Sequence, residues 1–300
     1  MTMTGATINN ASCGSIFCVR IRIRRPYACA CSMPYIHLLQ FLVAKSNVYR
    51  NVHGRYKMVS IVLITAPRKN VHKRTLEIML EKFDAKRWII AKECGRSGYE
   101  HWQIRAEISG DADDLFSWSQ KHGLNFHMER STSEWSDKYE RKEGRFWTWA
   151  DSNEVLIQRF GELLPWQKRC LERARTQNDR QIDVWYDPRG NHGKSWLTGA
   201  FFERNLACIV PRDWKNPSEA LNYICKNYGY QGIIMIDLPR ATKIGNDLYE
   251  IIEMIKDGLI SSTKWEGEMI NIRGVKVVVF TNTKLDQEKL SKDRWRWNYI

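Results

Sequence analysis

Two groups of residues in this 300-residue chain have the types and spacing for phosphate chemistry. The first is Asp-Pro-Arg-Gly-Asn-His-Gly-Lys-Ser at 187–195, which follows a strand-like run and precedes a helical pattern. In such a turn, backbone N–H groups cradle phosphates, the lysine reaches the β- and γ-phosphates and the serine hydroxyl meets Mg²⁺. The full glycine pattern would place a glycine at position 188, where this chain has Pro188. The predicted nucleotide-binding residues are Gly190, Asn191, His192, Gly193, Lys194 and Ser195.

The second group combines a His-x-Gln pair with a tyrosine and a lysine further along the chain. His101 and Gln103 lie two apart on a predicted strand, so both face the same side of a sheet, and Glu93 on the preceding strand offers a third metal ligand. Tyr139 and Lys142 lie three apart on a predicted helix, so both project from one side of it. An ammonium beside a phenol favours the phenolate, and a metal nearby polarises the phosphate that the phenolate attacks. A solvated strand face and an ordinary charged helix are the alternative interpretations.

The elements around the second group follow the order βαββαβ, which is typical of a ferredoxin-like or split-βαβ antiparallel sheet. Period-two and β-branched patterns predict the strands, and apolar residues at i, i+3, i+4 and i+7 predict the helices. The strands are predicted at 59–65, 87–93, 101–108 and 125–129, and the helices at 76–83, 112–122 and 135–144.

The elements around the first group predict a mostly parallel sheet. Residues 232–237 form an apolar run that ends in Asp237, the profile of a buried strand that delivers a carboxylate to the carboxyl edge of a parallel sheet. There it can hold Mg²⁺ through water and orient the attacking water. Asn282 follows a second buried strand and can sense a γ-phosphate, although Asp and Asn also begin turns. A helical stripe over 248–259 and a basic hairpin over 264–273 complete the prediction.

Charge and composition divide the chain unevenly. Its net charge is +13, but residues 1–57 hold eight Lys and Arg and no Asp or Glu, so the charge by itself is weak evidence for DNA binding. This leader is either a targeting peptide or sequence upstream of a natural start at Met58, and its composition favours the second. We predict four parts: the leader 1–57, a domain 58–150, a connecting or oligomerisation helix within 151–180, and a domain 181–300. No apolar run reaches the length of a membrane span.

Together, the residues of the second group resemble the three motifs of HUH-superfamily replication-initiator endonucleases. Residues 63–68 resemble the first motif, residues 101–103 the metal motif and residues 139–142 the nucleophile motif. The resemblance implies that Tyr139 attacks single-stranded DNA at a replication origin, becomes linked to the 5′-phosphate and frees a 3′-OH for a host polymerase. Lys142 would help to position or activate Tyr139. The ligands of Mg²⁺ or Mn²⁺ would be His101 and Gln103 with Glu93.

The first group resembles the superfamily 3 helicases of Rep proteins from circular single-stranded DNA viruses. Its loop and the run Ile-Asp-Leu-Pro-Arg at 236–240 look closest to nanovirus, alphasatellite and smacovirus members. Leu238 departs from the many members that have a second acidic residue there. The matching residues are Lys194 and Ser195 for Walker A, Asp237 for Walker B, Asn282 for motif C and Arg294 for the arginine finger.

This second resemblance implies ATP as a substrate and a hexameric ring of identical chains. Arg294 would reach the ATP of a neighbouring subunit, and Lys264 would contact the DNA backbone in the central channel without reading its sequence.

The combined expectation is an α/β protein of two domains that initiates rolling-circle replication, with an HUH nickase–ligase joined to an ATP-driven helicase. It would work in the host nucleus if the host is eukaryotic, and otherwise in the cytoplasm. The alternatives are a P-loop DNA-binding ATPase that does not cut, which a metal-dependent nicking assay separates, and an inactive integrated copy. The intact motifs in both domains argue against the inactive copy.

Overall fold

The computed structural model describes residues 47–50, 56–264 and 267–300. These residues belong to one compact unit, Lys45–Ile300. Most of the leader 1–57 lies outside the described residues, so the two interpretations of it stay predictions. In the part of the chain that the structure describes, no helix has the length and apolar character needed to cross a lipid bilayer.

The first sheet is antiparallel and carries two helices, α1 (Lys73–Lys82) and α2 (Ala112–Lys121). Its strand order is β2–β4–β3–β6, and β1 and β5 both pair with the outer edge of β2. The predicted βαββαβ order is therefore present, and β1 and β6 extend it. The strands are β1 (Asn47–Arg50), β2 (Tyr56–Pro67), β3 (Arg87–Cys94), β4 (Glu100–Ser109), β5 (His127–Arg130) and β6 (Phe146–Thr148).

The period-two pattern of β4 gives this sheet one apolar and one polar face. Trp102, Ile104 and Ala106 are buried in the core beneath the two helices. The residues between them, among them His101 and Gln103, are only partly buried and face the opposite side. The polar face therefore remains available for a site.

Residues 135–144 cross this polar face without forming the predicted α-helix. Residues 138–143 are turns, in which the Lys142 N–H donates to the Tyr139 carbonyl at 3.2 Å and the Gly144 N–H donates to the Arg141 carbonyl at 2.9 Å. Gly144 ends them with a φ of +64°, a left-handed conformation that glycine adopts at little cost. Glu140 is buried against the sheet, so tertiary contacts set the path of this segment.

The second sheet is parallel, with the strand order β13–β7–β12–β9–β8. Its strands are β7 (Ile182–Tyr186), β8 (Cys208–Ile209), β9 (Ile233–Asp237), β12 (Lys276–Thr281) and β13 (Trp295–Tyr299). Its helices are α5 (Lys194–Glu203), α6 (Pro217–Asn227) and α7 (Asn246–Asp257). Apolar side chains fill clusters on both faces, as expected for a covered parallel sheet. The prediction of an α/β protein with one antiparallel and one parallel sheet is thus confirmed.

Two helices lie between the sheets in sequence, α3 (Asn153–Phe160) and α4 (Pro165–Arg175). The sequence predicted one helix within 151–180, which corresponds to α4, and it gave no signal for α3. On α4, Cys170 and Ala174 are buried in the cluster that contains Trp185 and Phe280, so this helix packs on the second sheet. The side chain of Arg159 on α3 is also buried, and it forms ion pairs with Asp151 and Glu203.

The helical stripe predicted to reach Leu259 ends earlier, at Asp257. Gly258 has a φ of +88°, and a Cβ at this position would lie 2.6 Å from the Arg273 Cα, so the chain turns sharply there. Leu259 then begins β10 (Leu259–Ser261), which pairs with β11 (Met269–Asn271). The predicted basic hairpin therefore exists, but it begins before Lys264.

Candidate functional sites

Antiparallel pairing brings the three predicted metal ligands together on the polar face of the first sheet. Glu93 lies opposite His101 in the β3–β4 register, and Gln103 lies one same-face position further along β4. Glu93 Oε2 lies 3.6 Å from His101 Nε2, and the Glu93 side chain is only 4% exposed. Gln103 Oε1 accepts a hydrogen bond of 2.9 Å from Thr65 Oγ1 on β2.

The structure also brings the predicted nucleophile and its lysine to this face. Lys142 Nζ lies 2.7 Å from Glu93 Oε2 and 3.4 Å from the centre of the Tyr139 ring, and Tyr139 is 56% exposed. Burial lowers the pKa of Lys142, but hydrogen bonds to Glu93 and Tyr139 outweigh burial and raise it. Lys142 therefore stays positively charged at neutral pH, beside an accessible phenol.

The donor set of this face fits a hard divalent cation. A carboxylate, an imidazole and an amide oxygen are ligands that suit Mg²⁺ or Mn²⁺. Glu93 Oε1 is buried and has no hydrogen-bond partner, and an unpaired buried carboxylate oxygen is costly unless something binds it. Among the described residues, no three His, Cys, Asp or Glu side chains converge, so a metal here would need the Gln103 amide.

Sequence reasoning missed a buried ion pair next to the predicted nucleophile. Arg105, on the same face of β4 as His101 and Gln103, donates through Nε to Glu140 Oε1 at 3.1 Å. Burial raises the pKa of Glu140. Its backbone hydrogen bond and Arg105 lower this pKa by less, so it stays above its ordinary value. The period-two pattern places Arg105 on the polar face, but only the path of the segment shows that Glu140 meets it.

The glycine loop at 187–195 joins the carboxyl end of β7 to the N-terminus of α5. Gly190, Asn191 and Gly193 have φ angles of +79°, +65° and +83°, so the loop needs residues that tolerate the left-handed region. The loop borders a cavity of about 330 Å³ at the carboxyl edge of the second sheet. The predicted residues that line this cavity are Gly190, Asn191, Gly193, Lys194, Ser195, Asp237 and Asn282.

Asp187 organises the loop, and sequence reasoning missed it. Its fully buried carboxylate accepts hydrogen bonds from Lys194 Nζ at 2.7 Å and from the Gly190 N–H at 2.7 Å, and it contacts His192 Nδ1 at 2.9 Å. Burial raises the pKa of Asp187, but these partners outweigh burial and lower it. The predicted phosphate ligand His192 thus turns toward Asp187 and not toward the cavity. The rule that selected Asp237, an acid at the end of a buried strand, also selects Asp187.

Asp237, which lines the cavity, has two partners that the sequence did not predict. Its Oδ2 accepts a hydrogen bond of 3.1 Å from Thr198 Oγ1 and also pairs with Arg212 Nη2. Asn282 donates through Nδ2 to the Asp187 carbonyl at 2.5 Å. Asp237 is therefore the carboxylate that lines the cavity, already paired with Arg212, whereas Asp187 lies buried behind the loop and holds Lys194.

Two predicted residues lie away from both sites. The Arg294 side chain is 9% exposed, and its Nη2 lies 3.7 Å from Glu253 Oε1 and 3.8 Å from Asp257 Oδ1 on α7. Lys264 is exposed in the turn between β10 and β11, where its N–H donates to Ser262 Oγ at 3.1 Å. Neither residue lines the cavity of its own chain.

Comparison with known proteins identifies relatives in viral and satellite replication. The Para-Rep C10 of milk vetch dwarf C10 alphasatellite is 31% identical over 138 residues, 44% of this chain and 47% of the relative. The chain's homologues are Rep proteins. The Para-Rep C7 of faba bean necrotic yellows C7 alphasatellite is 30% identical over the same number of residues, with the same 44% and 47% shares. The master replication protein of banana bunchy top virus is 29% identical over 112 residues, 37% of each chain.

The match to these Rep proteins is partial. The chain spans about half the length, or less, of the curated relatives it matches. No protein-family profile matches it. The resemblance to viral and satellite Rep proteins that the motifs predicted is nevertheless confirmed by the relatives themselves.

Proposed function

We propose that this protein initiates rolling-circle DNA replication, with an HUH-type nicking site on the first sheet and a P-loop ATPase of the superfamily 3 helicase type on the second. The observation that carries the proposal is the position of Lys142, which contacts both Glu93 and the Tyr139 ring. The names of the Rep relatives support a role in replication. The intact loop and cavity of the second sheet support a nucleotide-driven step.

In the nicking reaction, the Tyr139 phenol oxygen attacks a backbone phosphate of single-stranded DNA. A bond forms between that oxygen and phosphorus, while the bond from phosphorus to the 3′-oxygen breaks. The phenol proton passes to solvent, and the 3′-oxygen takes a proton from solvent to become a free 3′-OH for a host polymerase. The reverse reaction rejoins the strand. The Lys142 ammonium, which contacts the Tyr139 ring, would orient this side chain for the attack.

Glu93, His101 and Gln103 would hold Mg²⁺ or Mn²⁺ in this site. The bound cation would polarise the scissile phosphate. The unpaired Glu93 Oε1 supports this assignment, and so does the accessible position of Tyr139 beside the same face.

On the second sheet, the cavity would bind ATP with Mg²⁺. Lys194 would leave Asp187 to contact the phosphates, and Ser195 and Asp237 would hold the metal. Asn282 lies at the end of β12, where an amide can sense the γ-phosphate. Arg212 and Arg240 also line the cavity, and these arginines support binding of a polyphosphate.

Assembly into a hexameric ring and DNA contact by Lys264 belong to the same proposal. To reach the nucleotide of a neighbouring subunit, the Arg294 side chain would have to leave Glu253 and Asp257 and become exposed. Lys264 is exposed at a hairpin turn, where it can meet a DNA backbone. In a eukaryotic host the protein would act in the nucleus.

Replacement of the nucleophile tests the nicking half of the proposal. Tyr139→Phe should abolish the covalent adduct with a stem-loop origin oligonucleotide in Mn²⁺, because it removes only the attacking oxygen, while ATP hydrolysis persists. The adduct is measured as a shifted band after denaturing electrophoresis and located by mass spectrometry. Tyr230→Phe is the matched control, since Tyr230 is 83% exposed and lies outside both sites. Undiminished adduct formation by Tyr139→Phe would exclude the assignment.

Replacement of the loop lysine tests the ATPase half. Lys194→Ala should reduce ATP hydrolysis by at least about 100-fold, because the phosphates lose their cationic partner, and should leave nicking of single-stranded DNA intact. Phosphate release is measured beside the adduct assay, with exposed Lys289→Ala as the control. Loss of both activities in a folded variant would argue against two separable sites.

A further inference from the structure

The segment that carries the nucleophile, residues 138–144, is held from two sides. It has no regular secondary structure, so its position depends on contacts with other elements. On the side of the first sheet, these contacts are the Lys142–Glu93 and Glu140–Arg105 ion pairs. On its other side, the segment meets the end of α5, which belongs to the second sheet.

Asn205 makes the contact from the second side. It follows α5 and adopts a φ of +50°, in the left-handed region that asparagine tolerates. Its Nδ2 donates a hydrogen bond of 3.0 Å to the carbonyl oxygen of Lys142. A residue of the nucleotide-binding half therefore contacts the backbone of the lysine beside the nucleophile.

A chain of hydrogen bonds determines which end of the Asn205 amide faces the segment. The Gly229 N–H can only donate, so Gln231 Oε1 accepts from it at 2.9 Å. Gln231 Nε2 then donates to Asn205 Oδ1 at 3.0 Å. The Asn205 NH₂ group is left to face the Lys142 carbonyl, which can only accept.

The backbones also approach closely at this point. Gly144, at the end of the segment, has a φ of +64°, and a Cβ built on it would lie 2.2 Å from the Arg204 carbonyl oxygen. No side chain fits there without a shift of the backbone. The segment therefore packs directly against the C-terminus of α5, whose first residue, some 15 Å away along a ten-residue helix, is Lys194.

We propose that Asn205 is a positioning residue for the tyrosine nucleophile, so that the nucleotide-binding half completes the nicking site. This inference rests on the proposed nicking activity. Through its hydrogen bond to the Lys142 carbonyl, Asn205 holds the turn in which the Lys142 ammonium lies over the Tyr139 ring. The role of Asn205 is therefore exerted through Lys142.

Asn205→Asp tests the proposal in the full-length protein. Aspartate tolerates the same backbone conformation and can still accept from Gln231, but it places a carboxylate against the Lys142 carbonyl. We expect the rate constant for adduct formation at saturating oligonucleotide to fall roughly fivefold to tenfold, the equivalent of one lost hydrogen bond. The oligonucleotide concentration that gives half the maximal rate and the ATPase rate should be unchanged. Hydrogen exchange of the amides in residues 138–144 should accelerate. Asn246→Asp makes the same charge change at an exposed position on α7 and should alter none of these values.

A pair of glycine variants separates this contact from general strain. Gly144→Ala should accelerate exchange in residues 138–144, because its Cβ meets the Arg204 backbone. Gly123 has a similar φ of +68° with no atom within 4 Å of a built Cβ, so Gly123→Ala carries the strain without the clash. An unchanged rate constant for adduct formation and unchanged hydrogen exchange in residues 138–144 of Asn205→Asp would overturn the inference. If the wild-type protein forms no adduct, the proposed nicking function fails, and the exchange measurement still decides whether Asn205 holds the segment.

Discussion

Arg159 joins the elements of the two sheets, and its replacement by methionine should strongly destabilise the protein. Its side chain is 1% exposed. It pairs with Asp151, which follows β6, at 2.6 Å and with Glu203 on α5 at 2.7 Å. Its Nη1 also donates to the Phe146 carbonyl on β6 at 2.8 Å. Methionine keeps much of the apolar length of the side chain but removes every one of these hydrogen bonds.

The size of the effect follows from what the substitution leaves behind. The side chains of Asp151 and Glu203 are only 8% and 12% exposed, so two nearly buried carboxylates lose their common cation. Breaking a buried ion pair from one side costs about 3–5 kcal/mol, and we expect a loss of that order in the free energy of unfolding at pH 7. The triple variant Asp151→Asn, Arg159→Met, Glu203→Gln should recover part of it, because no unpaired charge remains.

The free energy of unfolding that Arg159→Met loses should also depend on pH and be smaller in acid. Burial raises the pKa of Asp151, but Arg159 and Thr148 outweigh burial and hold it below its ordinary 3.8. In the wild-type protein, this carboxylate therefore contributes stability above that value, and the contribution disappears as pH falls through the lower folded pKa. Without Arg159, burial is no longer offset by this cation, so protonation of the Asp151 carboxylate becomes favourable. The difference between Arg159→Met and wild type should therefore be smaller at pH 4 than at pH 7.

Urea unfolding followed by fluorescence of the 13 tryptophans measures this difference. Arg180→Met is the matched control, because the Arg180–Asp293 pair is half exposed on both sides and should contribute almost nothing. A loss of less than about 1 kcal/mol for Arg159→Met would refute the reasoning, since a buried pair would then behave like a surface pair. So would a loss of equal size at pH 4 and pH 7.

Two further predictions concern the second sheet. A Cβ on Gly190 would lie 2.3 Å from Arg240 Nη2 in the cavity wall, so Gly190→Ala should weaken ATP binding in a calorimetric titration. Gly232 has a φ of +78°, and a Cβ built on it meets no atom within 4 Å, so Gly232→Ala should lower stability without weakening ATP binding. Equal ATP affinity in both variants would contradict the assignment of this cavity as the ATP site. Burial lowers the pKa of Lys256 to about 8 from its ordinary 10.5. Between these two pH values the unfolded chain therefore binds more protons at this lysine than the folded chain does. The free energy of unfolding should accordingly rise with pH over this interval. Lys256→Met should remove that rise in urea unfolding, and an identical pH dependence in both proteins would exclude burial of this lysine as its cause.

Local patterns were sufficient for most regular elements because each pattern reflects a local rule. The alternation in β4 assigned its two faces, since successive side chains of a strand point to opposite sides. The unbroken apolar run that ends at Asp237 identified β9, since a strand covered on both faces of a parallel sheet is apolar throughout. The glycine loop was recognisable because positive φ angles at its turn require particular residue types.

Elements that depend on distant partners could not be predicted in this way. The helical spacing of residues 135–144 gave no warning that Glu140 would be drawn onto Arg105, 35 residues away in sequence, and that the chain would follow turns instead. The short strands β6 and β13 exist because they complete the edges of sheets built by other segments. Leu259 left its predicted helix because Gly258 approaches Arg273.

The sequence alone determined which chemical groups this protein carries and in what order. Their types and local spacing were enough to propose a tyrosine with a metal site followed by a nucleotide loop. The Rep relatives confirm the resemblance to Rep proteins, and the site assignments stay predictions. Only the tertiary structure decided what each group touches: that Lys142 lies between Glu93 and Tyr139, that Asp187 holds Lys194, and that Asn205 reaches the segment that carries Tyr139. Spacing along the chain specifies local geometry, whereas contacts between distant segments depend on how sheets and helices pack.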